Sequence, residues 1–131
     1  MKKIILPLII ITFATSLIAN AVIERMSADS QQNRIILQWV TSSEENVNVF
    51  VIERSTENNK HFVAIGELKA RGPGFEYRFE DSELGNINSI FYYRLKIVNH
   101  DNSIQYTDVV RAIPNISSIS RTWGSIKALF R

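Results

Sequence analysis

The chain contains no cysteine among its 131 residues. This absence excludes disulfide cross-links, thiol chemistry and a metal site with cysteine ligands. It also excludes the lipid anchor of bacterial lipoproteins, which requires a cysteine at the cleavage point. The folded chain must therefore be stabilised by packing alone, and we expect a stability of about 5–10 kcal/mol.

Long apolar segments are also scarce, and the one near the N-terminus is too short to span a bilayer. Lys2 and Lys3 precede an apolar run over residues 4–18, and Ala19-Asn20-Ala21 then supplies the small residues of a cleavage site. A membrane span needs about 20 apolar residues. The three-part pattern therefore predicts a secretory signal peptide over residues 1–21, cleaved after Ala21, with an uncleaved anchor as the alternative. The destination is the periplasm, the cell surface or the medium.

Charge of one sign does not dominate either. Two of the 15 Lys plus Arg residues fall in the predicted signal peptide, which leaves 13 against 13 Asp plus Glu. A formally neutral chain has no global field that attracts nucleic acid, so we exclude that class of partner. The remaining length suffices for one domain with one core.

Catalytic signatures are missing as well. The sequence has no Gly-x-Ser-x-Gly, Walker or dinucleotide-binding pattern. The two histidines, His61 and His100, each lie beside a predicted turn. Without cysteine they do not complete a transition-metal site, and the sequence suggests neither the hydrogen-bonded partner nor the pocket that an acid–base role needs. We interpret both as surface residues and predict no enzyme activity, no metal and no cofactor.

Most of the chain after residue 21 consists of short segments in which apolar and polar side chains alternate. Turn residues separate these segments. The central stretch, residues 34–55, contains two of them, and Gly72-Pro73-Gly74 is the strongest break. The predicted strands cover residues 22–28, 34–41, 49–55, 62–70, 75–80, 89–99 and 104–112. Seven strands at this spacing predict an all-β, antiparallel, immunoglobulin-like sandwich over residues 22–114.

The alternation also predicts which side chains form the core, because residues two apart on a strand share one face. Trp39 can bury a large area if its indole N–H finds a partner. Gly66 is predicted to mark a bulge or a close approach of two segments. The predicted core residues are Leu37, Trp39, Phe50, Ile52, Tyr93 and Leu95.

Several segments, taken in order, resemble a known domain family. They are LQWVTSSEEN, FVIERS, HFVAIGELKARG, YRFED and FYYRLKIVNHDNSIQY. The series is similar to a fibronectin type III-like domain, in the variant found in secreted bacterial proteins that are often exported by type IX secretion. This resemblance covers about residues 35–110 and implies a sandwich, but the fold hosts many binding and spacer roles. One departure is Phe91, which stands where many such domains carry a corner tyrosine, so we expect that hydroxyl's hydrogen bond to be absent.

Two groups of acidic residues are candidate sites. Glu44 and Glu45 follow Trp39, and paired carboxylates can share a proton or hold calcium, which leaves a carboxylate-dependent enzyme as a third hypothesis. We favour a structural role in which Glu44 caps turn backbone or forms an ion pair with Arg54, as its position in the family suggests. The run Glu80-Asp81-Ser82-Glu83 lacks the spacing and glycine of a calcium loop, and we interpret it as a solvated loop.

The longest predicted strand carries Tyr92, Arg94 and Lys96 on the face opposite its core residues. Aromatic and arginine side chains on an exposed sheet face can form a binding surface. The alternative is a solvated face with cross-strand pairs.

The C-terminal tail, residues 115–131, has a helical pattern. Its apolar residues recur at spacings of four, three and four, which places them on one face of a short helix. Gly124 costs about 1 kcal/mol, so the helix should be marginal unless its apolar face is covered. The covering can be the sandwich itself, a protein partner or export machinery, or an anionic membrane surface. The apolar residues are Ile119, Trp123, Ile126 and Phe130, and the basic ones are Arg121, Lys127 and Arg131.

Together these patterns predict a non-catalytic, secreted protein-interaction or structural module of the bacterial cell envelope. Its partner is a protein or an envelope component, and the tail is the docking or sorting element. The alternative is a carbohydrate- or surface-binding adhesion module that uses the aromatic sheet face.

Overall fold

The computed structural model describes residues 21–86 and 88–114 together with Lys3. The described residues form eight strands and no helix. They therefore include no helix of the length and apolarity that a membrane span requires. The strands are β1 (Val22–Gln31), β2 (Arg34–Ser43), β3 (Val47–Ser55), β4 (Val63–Lys69), β5 (Glu76–Asp81), β6 (Phe91–Asn99), β7 (Ile104–Tyr106) and β8 (Val110–Ala112).

The strands form two antiparallel sheets. The smaller sheet has the order β1-β2-β5, and the larger has the order β4-β3-β6-β7, with β8 also paired to β6. The connections β2–β3, β4–β5 and β5–β6 each pass from one sheet to the other, so neither sheet is built from one continuous meander. The predicted all-β sandwich of two antiparallel sheets is confirmed.

The core lies between the inner faces of the two sheets. Trp39 of β2 stacks on Tyr77 of β5 at 5.2 Å between ring centroids, and the Phe50 ring of β3 meets Trp39 edge-on at 5.9 Å. All six predicted core residues are at most 1% exposed. The indole N–H of Trp39 is buried, and no described residue accepts its hydrogen bond.

The prediction of seven strands is wrong at the last strand. Residues 104–112 form two short strands, β7 and β8, and not one. Lys96 is opposite Tyr106, whereas Tyr93 is opposite Val110, so this side of the ladder contains one extra residue. At the break, the backbone N–H of Leu95 donates to the side-chain hydroxyl of Thr107 at 2.9 Å. A side-chain acceptor thus replaces a backbone one, and the strand bulges.

The first hairpin is longer than the polar composition of residues 29–33 suggests. Pairing between β1 and β2 continues to Gln31 opposite Arg34, and the turn consists of two residues. Gln32 adopts a positive φ of 55°, the left-handed conformation that tight hairpin turns need. Residues 29–31, which lie between the first two predicted strands, are therefore the end of β1.

Gly66 has both features that its position predicts. The ladder between β3 and β4 changes register between Ile52 and Glu53, beside Gly66. A Cβ atom at Gly66 would overlap the ring of Phe79, which reaches across from β5 in the smaller sheet. The absence of a side chain at Gly66 therefore leaves room for the Phe79 ring to pack against the larger sheet.

Candidate interaction surface

The outer face of the larger sheet carries a stack of three side chains from distant parts of the chain. The guanidinium carbon of Arg94 lies 4.1 Å from the ring centroid of Phe62 and 4.2 Å from that of Tyr106. Its Nε donates to Glu53 Oε1 at 2.8 Å, and the side chains of this ion pair are 27% and 11% exposed. Each cation–π contact contributes about 0.5–2 kcal/mol, so the arginine is held in one orientation.

Apolar side chains extend this stack along the outer face. Tyr106 and Ile104 of β7 are each 50% exposed. Val98 is opposite Ile104, and Val49 is opposite Val98 on the other side of β6, which continues the apolar strip across the sheet. Val51, two residues after Val49, shares its face and is half-buried. We call this surface the outer patch. It consists of the Phe62–Arg94–Tyr106 stack together with Val49, Val51, Val98 and Ile104.

The border of the outer patch is mostly basic. Lys96 is opposite Tyr106, Lys69 is opposite Val49, and Arg111 is opposite Tyr92, so all three lie on the outer face. Glu67 is opposite Val51 on the same face. Since Arg94 already pairs with Glu53, the charges without an ion pair at this border are predominantly positive.

The predicted sheet-face residues are thus brought together, but in a different arrangement from the expected one. Tyr92 is half-buried and lies beside Arg111. Arg94 is not a free surface cation, because an acidic and two aromatic side chains engage it. Phe62 and Tyr106 were not expected at this site, since neither belongs to the strand that carries Arg94.

Glu44 does not form the predicted ion pair with Arg54. Glu44 precedes β3 whereas Arg54 lies near its end, and the seven residue steps from Val47 to Arg54 along the extended strand span about 23 Å. The Glu44 carboxylate instead accepts from the hydroxyls of Thr41 and Tyr77, each at 2.6 Å, and from the backbone N–H of Gly72 at 2.8 Å.

This network ties three segments of the chain together. It joins the end of β2 to the loop between β4 and β5 and to the Tyr77 side chain in the core. Burial, followed by the hydrogen bond to Glu44, raises the pKa of Tyr77 from 10.0 to about 12. Glu45 is exposed. The two adjacent glutamates therefore differ in environment, and the oxygens of Glu44 are occupied by structural hydrogen bonds.

Arg54 binds Asp81 instead. Its Nη1 lies 2.9 Å from both carboxylate oxygens and 3.0 Å from the backbone oxygen of Glu83. The hydroxyl of Tyr93 donates to Asp81 Oδ2 at 2.7 Å. The interpretation of residues 80–83 as a solvated loop is wrong for Asp81, which is 5% exposed. The period-two series Tyr77, Phe79, Asp81 was the signal that this carboxylate points inward.

The remaining predicted sites divide into two groups. His61 and His100 are exposed, and His61 Nδ1 lies 2.9 Å from Glu57 Oε2. Among the residues that the structure describes, no three His, Asp or Glu side chains are grouped as metal ligands would be.

Apart from Lys3 and Ala21, the predicted signal peptide lies outside the described residues. The candidate docking residues of the tail, Ile119, Arg121, Trp123, Ile126, Lys127 and Phe130, lie outside them as well.

Sequence comparisons identify no relatives. No protein-family model matches the chain, and no curated protein matches it significantly.

Solved structures, in contrast, are similar in fold. An Fn3-like protein from Clostridium thermocellum superimposes with a TM-score of 0.55 at 14% identity, over 71% of this chain and 90% of that one. Pectate lyase PelI from Erwinia chrysanthemi, in complex with tetragalacturonic acid, gives a TM-score of 0.55 at 20% identity, over 72% of this chain. Pectate lyase Pel3 from Pectobacterium carotovorum gives 0.55 at 22% identity, over 71% of this chain.

The two lyases are much longer proteins, since the match spans 28% of each of their chains. At these identities the similarity establishes the fold and not the activity. The chain has a β-sandwich fold similar to that of the Fn3-like protein.

Proposed function

We propose that the protein is an exported, non-catalytic binding module of the bacterial cell envelope that contacts an acidic protein partner through the outer patch. The observation that carries the proposal is the Phe62–Arg94–Tyr106 stack beside the half-exposed Ile104. A preorganised arginine between aromatic rings, next to aliphatic side chains, has the composition of a protein–protein interface centre.

Charge supports an acidic partner. All 13 acidic residues precede the tail, whereas Arg121, Lys127 and Arg131 lie in it, so residues 22–114 carry 10 basic against 13 acidic residues. The basic border of the outer patch therefore stands out on a domain that is negative overall. Such a surface steers acidic partners towards itself and disfavours basic ones.

A non-catalytic role is supported by how the inward carboxylates are used. Glu44 accepts three hydrogen bonds, and Asp81 is held by Arg54 and Tyr93. A general acid or nucleophile needs a carboxylate that can reach a substrate, whereas these two are engaged by the protein's own donors.

Site-specific photo-crosslinking in the producing cell tests the proposal. With p-benzoylphenylalanine in place of Ile104, we expect a crosslink to one envelope protein. The same probe in place of Gln38, exposed on the outer face of the smaller sheet, is the matched control and should give none. The identified protein is then purified for binding measurements with the full exported chain.

Replacing both Ile104 and Tyr106 by alanine should weaken that binding at least tenfold, and raising the salt concentration should weaken it further. Equal binding by the double variant would contradict the proposal. Loss of binding on deletion of residues 115–131 alone would assign the docking role to the tail instead.

Carbohydrate binding is the second candidate, favoured by the half-exposed Tyr106 ring and the basic border. The pectate lyase of similar fold was solved with an acidic oligosaccharide, which makes tetragalacturonic acid a suitable probe. If this probe binds saturably and the Tyr106→Ala variant does not bind it, the partner is an acidic glycan and not a protein. A protein partner is favoured over a carbohydrate, because Ile104 and the outer-patch valines pack better against apolar side chains than against hydroxylated sugar rings.

A further inference from the structure

A groove separates β1, the edge of the smaller sheet, from β7 and the segment that follows it in the larger sheet. Its lining includes Ala21, Met26, Gln105 and Asp108. Ala21 precedes β1, yet it is 3% exposed and packs with the core residues. Its carbonyl oxygen accepts a hydrogen bond from Gln105 Nε2 at 3.0 Å. The residue before the first strand is thus bound in this groove through Gln105.

The other half of the Gln105 amide is not satisfied. Gln105 Oε1 is buried, and no described residue donates a hydrogen bond to it. A buried amide oxygen without a donor is unfavourable, because it has lost its hydrogen bonds to water without replacement. The side chain therefore has an acceptor available for a donor that arrives in the groove.

The predicted processing site supplies such a donor at this position. Signal peptide removal adds water to the Ala21–Val22 peptide bond. The Ala21 carboxylate leaves with the signal peptide, and the α-amine of Val22 takes up a proton to become an ammonium. In a peptide group the carbonyl oxygen and the next nitrogen are about 2.3 Å apart. The new ammonium is therefore created beside the oxygen that Gln105 binds in the unprocessed chain.

We propose that Gln105 is the receptor for the α-ammonium that processing creates at Val22. In the unprocessed chain its Nε2 donates to the Ala21 carbonyl oxygen. In the processed chain the side-chain amide rotates by half a turn, and Oε1 accepts a hydrogen bond from the ammonium. Two charged side chains line the same groove: Asp108 contributes a negative charge, and Arg25 is paired with Glu76 at 2.9 Å. This inference depends on the proposed export, and it is independent of the outer patch.

A sign reversal tests the assignment. The processed chain, residues 22–131, is prepared with a free α-amine and with an acetylated one, whose acetyl carbonyl takes the place of the Ala21 carbonyl. With the free amine, Gln105→Glu should raise the melting temperature by about 4 °C, because a carboxylate faces an ammonium. With the acetylated amine the same substitution should lower it by a similar amount, because a carboxylate then faces a carbonyl oxygen.

The matched control is Gln38→Glu, which introduces the same charge on the outer face of the smaller sheet and should respond equally to both forms. Shifts of the same sign for Gln105→Glu in the two forms would overturn the assignment. N-terminal sequencing of the exported protein should give Val22 as the first residue, and another start would overturn it as well. Neither measurement involves a binding partner, so their failure is distinguishable from failure of the outer-patch proposal.

Discussion

Tyr93 donates its hydroxyl hydrogen to Asp81 Oδ2 at 2.7 Å, and this hydrogen bond links the two sheets of the sandwich. Tyr93 belongs to β6 of the larger sheet, and Asp81 ends β5 of the smaller one. Arg54 binds the same carboxylate from β3. Phe91, the first residue of β6, has no hydroxyl, and two residues later Tyr93 provides a buried hydroxyl hydrogen bond. The link is polar but lies at the edge of an apolar core, so its loss should be costly.

Removing the Asp81 carboxylate tests the hydrogen bond between the two sheets most directly. Asp81→Ala should lower the free energy of unfolding by about 3–4 kcal/mol, because it leaves Arg54 and the Tyr93 hydroxyl without their acceptor. Tyr93→Phe should cost about 1–2 kcal/mol, because Arg54 still holds the carboxylate. Chemical denaturation measures both, with Asp29→Ala, at an exposed position, as the control. An Asp81→Ala variant as stable as the control would contradict a structural role for this cluster.

Glu44 and Glu45 should differ sharply on substitution although they are adjacent. Glu44→Ala should lower stability by about 2–3 kcal/mol, because three donors lose their common acceptor. Glu45→Ala should change it by less than about 0.5 kcal/mol, because that side chain is exposed. Urea denaturation of the two variants provides the comparison. Equal effects would show that the hydrogen bonds of Glu44 add nothing to stability.

Gly66→Ala should destabilise the fold through a clash between sheets. The added methyl group overlaps the Phe79 ring, and overpacking of this kind costs about 1–3 kcal/mol. Phe79→Leu in the same chain should recover part of the loss, since the smaller side chain vacates the contested space. A double-mutant cycle of thermal unfolding measures the coupling. Strictly additive effects would rule out the contact as the cause.

Stability should decrease in alkaline solution because of two buried tyrosines. Burial and a hydrogen bond to Glu44 raise the pKa of Tyr77 to about 12, and burial and a hydrogen bond to Asp81 raise that of Tyr93 too. In the unfolded chain both lose their protons near pH 10, whereas the folded chain retains them. The stabilisation is therefore fully present below pH 10 and is lost as the pH rises, by about 1.4 kcal/mol per pH unit for each tyrosine.

Urea denaturation between pH 9 and pH 11.5 measures this slope. Tyr77→Phe should reduce it by about half, since one of the two groups no longer titrates. A Tyr77→Phe variant with the slope of the original chain would refute the contribution of Tyr77.

The sequence by itself determined most of the strands, their inner faces and the core, because alternation of side chains is a local property of an extended backbone. Trp39, Phe50 and Tyr93 needed no knowledge of their neighbours to be placed inside. The same pattern also contained the inward position of Asp81, which the polar composition of residues 80–83 obscured.

Only the tertiary structure decided which polar side chains meet. Arg54 binds Asp81 and not Glu44, because partners are set by which strands face each other and at which end. Phe62, Arg94 and Tyr106 come from three separate segments and form one stack only when β4 pairs with β3, β3 with β6, and β6 with β7. Local alternation carries no information on such contacts, because they depend on strand order and register across the whole sheet.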